Sequence, residues 1–372
     1  MIYLSQRQKE IATGLVILLG VTAGFVGGEV LIRGEQLFRF GQVEGQQSET
    51  LFYHDEELGM RLLRPNVVVG NIETNDHGFR SPALDKITPQ TVRIAFMGSS
   101  TVLNPYVKQL ENTWPHRVYE TLQRQFTRCH FDYLNVGIPG TNLKGMIEIY
   151  QTQVVQHQPH WIIVLPSNRT SDVRRIAQQQ QLGHVNYRPS WLAQQSQFWS
   201  KIELNAFILA RLRKVERGIE VITIDEDDFK RTFQSSLDKL LNTIESHSPT
   251  TLRFLMTVGG ALRVEQTPAE RQLAMRTTVR YNPQLSSTVA LQMSDLYNQI
   301  IVNTTRRQDA LLIDGHDYIP PQRQYYVDST HLTTKGAKAM AERVSQQLLA
   351  SPQVAQWLET RGCLGENPIP MD

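Results

Sequence analysis

Cysteine is nearly absent from this chain: Cys129 and Cys363 are the only two among 372 residues. Two are too few for a disulfide framework, and they lack zinc-type spacing. Either one bridge formed in an oxidising compartment or two separate thiols fits the sequence. A bias of charge is missing as well, since 38 Lys and Arg stand against 36 Asp and Glu, leaving a formal +2 with the two signs interspersed. Without a basic stripe or a like-charge block, nucleic acid is not expected as a partner. Internal repeats are also absent. What remains is an ordinary globular composition, 40% hydrophobic, with length enough for one large core or two modest ones.

Long apolar runs are scarce too, with one exception at the N-terminus. Ile11 to Gly28 (IATGLVILLGVTAGFVGG) carries no charge, is preceded by Arg7 and Lys9, and ends at Glu29. Eighteen residues at about 1.5 Å each reach about 27 Å, close to the hydrocarbon thickness of a bilayer. Val21-Thr22-Ala23 before Gly24 resembles a cleavage site, so a signal peptide is the rival. The run exceeds the usual 7 to 15 residue signal core, which favours an uncleaved anchor. Arg7 and Lys9 balance Arg33 and Arg39, so charge does not set its orientation. The expected organisation is a tail at 1–10, a transmembrane anchor (or signal peptide) at 11–32, an approach segment at 33–90, a main domain at 91–350 and a C-terminal tail at 351–372. Within the approach segment, Thr74 to Pro82 is rich in turn formers and reads as a structured loop.

From Val92 onward, short apolar runs alternate with segments of helical period. The strand candidates are Val92 to Met97, Phe131 to Val136, Trp161 to Leu165, Leu252 to Thr257 and Ala310 to Ile313. Runs of this kind suit parallel strands buried on both faces. Trp114 to Phe126, with Thr113 as a possible cap and Pro115 in the first turn, predicts a helix. A second follows Thr141 or Asn142 as cap, and a last one runs from about Lys335 with Ala337, Met340, Ala341, Val344 and Leu348 inward. Such alternation predicts a three-layer α/β/α sandwich around a five-stranded, mainly parallel, doubly wound sheet. The gap from Leu165 to Leu252 is too long for one crossover, so an insertion at about 170–245 is expected, forming either a lid or rim beside the active edge or a plain surface excursion.

The chemistry-bearing residues gather at strand ends. Gly98-Ser99-Ser100 closes the first strand, where a serine is either a helix cap or a nucleophile at the ligand-binding edge of the sheet. Asp328-Ser329-Thr330-His331 stands just before the last helix. Three residues of separation in a turn bring a carboxylate to one imidazole nitrogen and leave the other free to take a proton, as in a serine triad. Gly140 and Asn168 follow the second and third strands, and acyl transfer needs such N–H donors where an oxyanion develops. His157 and His160 have a pairing spacing but no glutamate or third ligand beside them, so no metal and no cofactor is expected. Asp314-Gly315-His316-Asp317 is a rival source of a catalytic histidine, better placed for a structural role.

In that order and at those strand ends, Gly98-x-Ser100, Gly140, Asn168 and Asp328-x-x-His331-Leu332-Thr333-x-x-Gly336 resemble the marker motifs of the SGNH/GDSL hydrolase family, over about Arg80 to Leu349. The resemblance implies Ser100 as nucleophile, His331 as base oriented by Asp328, and Ser100, Gly140 and Asn168 as oxyanion donors. Aligning Gly98-x-Ser100 with the family's Gly-Asp-Ser selects Ser100; a shift of one would select Ser99. The sequence departs from the pattern at Ser99, Pro166 and Arg169. The approach loop Asn75 to Arg80 also looks like what precedes the domain in membrane-anchored members. Together these imply an exported, membrane-anchored esterase or acyltransferase acting on a small-molecule or glycan ester. A lipase or lysophospholipase, and a non-catalytic glycan-binding scaffold, are the alternatives.

Overall fold

Five apolar runs form one sheet, and the order in which they do so places the strand ends. The structure is a computed structural model that describes residues 5–40, 50–183 and 185–364. Parts of the expected segments, at 1–4, 41–49, 184 and 365–372, lie outside the described residues. Strands β1 (Thr91–Gly98), β2 (His130–Gly137), β3 (Trp161–Val164), β4 (Leu252–Met256) and β5 (Leu311–Ile313) pair in the order β2-β1-β3-β4-β5, every pairing parallel. The order reverses around β1, so the loops after β1 and β3 flank the switch point where open α/β sheets bind ligands.

In chain order the helices are α1 (Gln6–Phe40), α2 (Ser100–Leu103), α3 (Trp114–Gln125), α4 (Leu143–Ile149), α5 (Arg169–Gln179), α6 (Trp191–Gln195), α7 (Gln197–Glu216), α8 (Glu226–His247), α9 (Pro268–Tyr281), α10 (Ser287–Arg307), α11 (Thr334–Ala350) and α12 (Pro352–Thr360). Alternate residues of each strand face opposite layers. Ile94, Phe96, Phe131 and Ile163 pack with Trp114, Val118 and Leu122 of α3 and Val344 of α11. Ala95, Met97, Leu134 and Ile162 pack with α4, α8 and α10. This is the three-layer α/β/α sandwich expected from the alternation. Spacing of four residues puts Trp114, Val118 and Leu122 on one stripe of α3, all fully buried. Burying a side chain of this size contributes about 1.5–3 kcal/mol.

Some local expectations resolve differently. Thr113 is the residue before α3, but its hydroxyl donates to the Leu110 carbonyl at 2.7 Å instead of accepting from the first turn. Asn142, the other cap candidate, does accept from Gly145 N–H at 3.0 Å. The single charge inside β1, Arg93, lies directly opposite Asp132 in the register of β2, and its Nε donates to the Asp132 carboxylate at 2.9 Å. Both are buried, which the sheet tolerates because each charge has its partner. The gap after β3 is filled by α5, α6, α7 and α8.

At the N-terminus the helix is longer than the uncharged run that predicts it, with 35 residues from Gln6 to Phe40. Past Gly28 the continuation is supported by an Arg33–Glu29 pair at 2.7 Å, four residues apart. Among the described residues α1 is the one helix long and apolar enough to cross a membrane.

Cys129, just ahead of β2, and Cys363, just past α12, form a disulfide with Cα atoms 5.1 Å apart across 234 residues of sequence. The bond ties the segment after α12 to the start of the edge strand β2. Because a cross-link over so long a loop constrains the unfolded chain strongly, Cys363→Ser should lower the unfolding free energy by about 2–5 kcal/mol. Urea unfolding monitored by circular dichroism checks this, and an unchanged midpoint would mean the bridge adds nothing.

Candidate active site

The loop after β1 turns sharply over two strand ends. A Cβ added to Gly137 would lie 2.1 Å from Leu103 N, and one at Gly98 would lie 2.3 Å from the Val102 side chain. Only hydrogen fits at either position, so α2 rests directly on the sheet edge and presents Ser100 at its start. Asn104 ends α2 in the left-handed conformation, φ 60°, which asparagine adopts at low cost. The Asn135 amide then fastens the turn, donating to the Val102 carbonyl at 3.1 Å and accepting from Gly137 N–H at 3.1 Å.

A second brace comes from the approach segment. The Arg80 guanidinium is buried beneath the loop and donates to the carbonyls of Leu103 (3.0 Å), Asn104 (2.6 Å), Asn71 (2.7 Å) and Val107 (2.6 Å). Burial lowers its pKa to about 10, so it stays charged at neutral pH. The segment that reads as a plain turn-rich loop therefore carries the residue that holds the Ser100 turn in place. Its only sequence signal is a lone arginine inside a run of turn formers.

From the other end of the chain comes the turn before α11. Asp328 Oδ1 accepts from Thr330 N–H and His331 N–H, both at 2.9 Å, and an antiparallel bridge between Tyr326 and Leu332 closes the turn. These bonds aim the ring of His331. Its Nδ1 is 2.7 Å from Asp328 Oδ2 and its Nε2 is 2.8 Å from Ser100 Oγ. The ring reaches Ser100 and not Ser99, whose carbonyl instead accepts from Val102 and Leu103 N–H. Tyr106 packs its ring 5.0 Å from that of His331. With Asp328 holding Nδ1–H, the neutral imidazole has Nε2 available as acceptor of the Ser100 proton. Burial by itself would raise the Asp328 pKa, but the hydrogen bonds from His331 and the two backbone N–H groups outweigh it and hold the carboxyl below its usual range.

Gly140 and Asn168 line the same cleft as Ser100 and His331. Gly140 has φ +82°, open to glycine, and a Cβ there would meet nothing within 4 Å. Asn168 stands at the head of α5, where its Oδ1 accepts from Leu143 N–H at 3.4 Å and its Nδ2 donates to Asp172 Oδ2 at 2.8 Å. One of its two amide protons is thereby engaged. Asp172 is a buried acid that sequence reasoning missed, although it lies one helical turn after Asn168. Burial raises its pKa, and it also accepts from the Tyr297 hydroxyl at 2.6 Å. Arg169, one of the three departures from the motif pattern, donates to Ser294 Oγ at 2.8 Å.

The remaining histidines have other surroundings. His157 packs on His77 and Phe79 with centroids at 4.5 and 5.6 Å, and His160 Nδ1 accepts from Arg93 N–H at 2.9 Å. Burial is the largest cause that lowers each to about 4, so both are neutral at pH 7. Among the described residues no group of three or more His, Cys, Asp or Glu is placed to hold a metal ion. His316 borders the cleft, while its neighbour Asp314 accepts from Thr257 Oγ1 at 3.0 Å and, through its carbonyl, from Arg343 at 2.6 Å.

The depressed Asp328 pKa has a stability consequence of fixed sign. A carboxyl whose folded pKa lies below its unfolded value, about 4, contributes stability above that value and loses it as pH falls through the folded pKa. The stability gap between the parent protein and Asp328→Asn should therefore be present at pH 7 and shrink below about pH 4. Urea unfolding of both proteins from pH 3 to 7 tests this, and a gap independent of pH would contradict it.

No family model matches the chain, and no curated protein matches it. Solved structures similar to it include one described as a lipolytic protein of the G-D-S-L family from Desulfitobacterium hafniense (12% identity, 69% of this chain and 99% of that one, TM-score 0.39). Another is described as a GDSL-like lipase from Parabacteroides merdae (14% identity, 73% and 96%, TM-score 0.42). A third is an acetylxylan esterase from Geobacillus stearothermophilus (13% identity, 70% and 96%, TM-score 0.42). The likeness concerns the fold, and the chemistry of this chain rests on its own side chains.

Proposed function

We propose that the protein is a membrane-anchored serine esterase working through an acyl-enzyme. The single observation that carries this reading is the continuous hydrogen-bonded series from Ser100 Oγ to His331 (2.8 Å) to Asp328 (2.7 Å) at the edge of an open cleft. In the proposed reaction His331 Nε2 takes the Ser100 proton as Oγ bonds to the ester carbonyl carbon, leaving a tetrahedral oxyanion. Ser100 N–H, Gly140 N–H and the second amide proton of Asn168 stabilise that charge. Collapse breaks the ester C–O bond, and the departing oxygen takes the proton from His331. Water, or the hydroxyl of an acceptor, then repeats the sequence in reverse and frees Ser100.

The cleft is about 1,140 Å³, somewhat larger than ordinary small-molecule sites. Its walls include Arg61, Arg174, Lys201 and Arg280 from four separate elements. These cationic groups suit a hydrophilic ester, and we favour an O-acyl carbohydrate outside the cytoplasm, where the Cys129–Cys363 bond would also be stable. One observation favours a lipid ester instead: Glu35 and Gln36, from the C-terminal part of the apolar helix α1, border the same cleft.

Fluorophosphonate labelling should modify the parent protein and spare Ser100→Ala; equal labelling of both would remove Ser100 from the chemistry. Asn168→Ala should lower turnover about 10²-fold or more on acetylated oligosaccharide or lysophospholipid, whichever is the better substrate. An unaffected rate would take Asn168 out of the oxyanion site.

A further inference from the structure

The helix α1 leaves the membrane too late for the insertion to stay clear of it. Every described side chain from Ile11 to Gly24 is exposed, and burial against the rest of the protein begins at Phe25. Those fourteen residues reach about 21 Å as a helix, whereas the hydrocarbon layer is about 30 Å thick and needs about twenty. Arg7 and Glu10 stop the span from extending toward the N-terminus. The missing length, about 9 Å, must come from residues 25–30.

That stretch of α1 is where α7 docks. Phe25 meets Phe198 edge to face with centroids 5.7 Å apart, and Gly28 lies so close that an added Cβ would sit 2.6 Å from the Phe198 ring. Next to them Glu29 is fully occupied. It accepts from Arg33 Nε (2.7 Å), Ser196 Oγ (2.9 Å), Phe198 N–H (2.9 Å) and Gln197 N–H (3.2 Å), capping the start of α7. A carboxylate at the edge of a hydrocarbon layer needs that degree of pairing. Phe198 therefore lies at the acyl boundary. The short helix α6 just before it turns Trp191 (71% exposed) and Leu192 (46% exposed) outward, and Ile202, four residues after Phe198 on the same face of α7, is 42% exposed. Large apolar side chains open to solvent in this number, with tryptophan among them, suit the interfacial layer.

Resting on the proposed reading of α1 as a membrane span, we infer that the α6–α7 corner of the insertion is a second membrane contact, inserting Trp191 and Leu192 into the interfacial layer of the leaflet that α1 leaves. Two contacts fix the orientation of the domain where a single helix would leave it free to swing. They also set the height of the active cleft. Glu35 and Lys201, a pair at 2.9 Å on its border, lie about five residues past the end of the hydrocarbon span, or about 8 Å along the helix. The cleft then opens at headgroup height, where it meets esters on headgroups or on glycans lying against the membrane and not those buried among acyl chains.

Single-cysteine variants of the full chain, Leu18→Cys, Leu192→Cys and Lys239→Cys, can be nitroxide-labelled with the native disulfide intact and reconstituted into phosphatidylcholine–phosphatidylglycerol vesicles. Accessibility of each label to oxygen against a water-soluble nickel complex reports its depth. The expected result is oxygen preference at 18 and 192 and nickel preference at 239. If 18 reads as lipid while 192 reads like 239, the second contact is overturned and the anchor stands. A label at 192 shielded from both reagents would overturn it in favour of a protein partner. Nickel preference at 18 would remove the anchor and the inference with it.

Discussion

A hydrogen bond of 2.8 Å joins two residues separated by 231 positions, Ser100 and His331. Bringing a hydroxyl and an imidazole into line requires both to be carried on elements that cannot drift, and the parallel sheet provides this. Ser100 stands just past β1, an inner strand paired on both sides, while His331 stands between β5 and α11, which packs back on α3 beside β1 and β2. Since each strand is locked to its neighbours in a single register, the loops at its carboxyl end inherit fixed positions, and side-chain hydrogen bonds have only to set the last ångström.

Two buried guanidinium groups perform much of that final adjustment. Arg80 gathers the carbonyls at the end of the Ser100 turn, and Arg343 of α11 gathers those of Thr257, Ile313 and Asp314 beneath the opposite wall. A planar donor set with five N–H groups suits diverging carbonyls that no helix or strand has paired. Burial costs each of them solvation, visible in pKa values lowered to about 10. Carbonyl dipoles meet the charge of Arg80, and at Arg343 they are joined by the nearby Asp314 carboxylate. Loops with few internal hydrogen bonds are thereby held as firmly as regular elements.

The sheet was readable from the chain because parallel strands buried on both faces are mostly apolar, so each appears as a short run with at most one charge between punctuating glycines and polar residues. The serine and histidine could be picked out because each sits within three residues of a strand end or helix start, and the aspartate because it stands three residues before the histidine. Arg80 could not be, since three of its four partners lie 23 to 27 residues downstream and all are backbone atoms that no side-chain pattern encodes. Asp172 was hidden differently. It reads as an ordinary acid in the first turn of a helix, and only the packing of α10 brings Tyr297 against it. The cysteines gave no local hint of pairing because the geometry that joins them is made by the whole domain. The extent of α1 past its apolar run depended on partners in α7 that lie more than 160 residues away.

The Cys129–Cys363 bond makes nearly the whole sandwich from β2 onward a covalent ring, with α1, β1 and Ser100 on the arm outside it. A protease that nicks the backbone anywhere within that ring leaves both pieces tethered to the same arm. Release of the domain from its arm then requires a cut ahead of residue 129. Limited damage to exposed segments of the insertion therefore does not shed His331 away from Ser100.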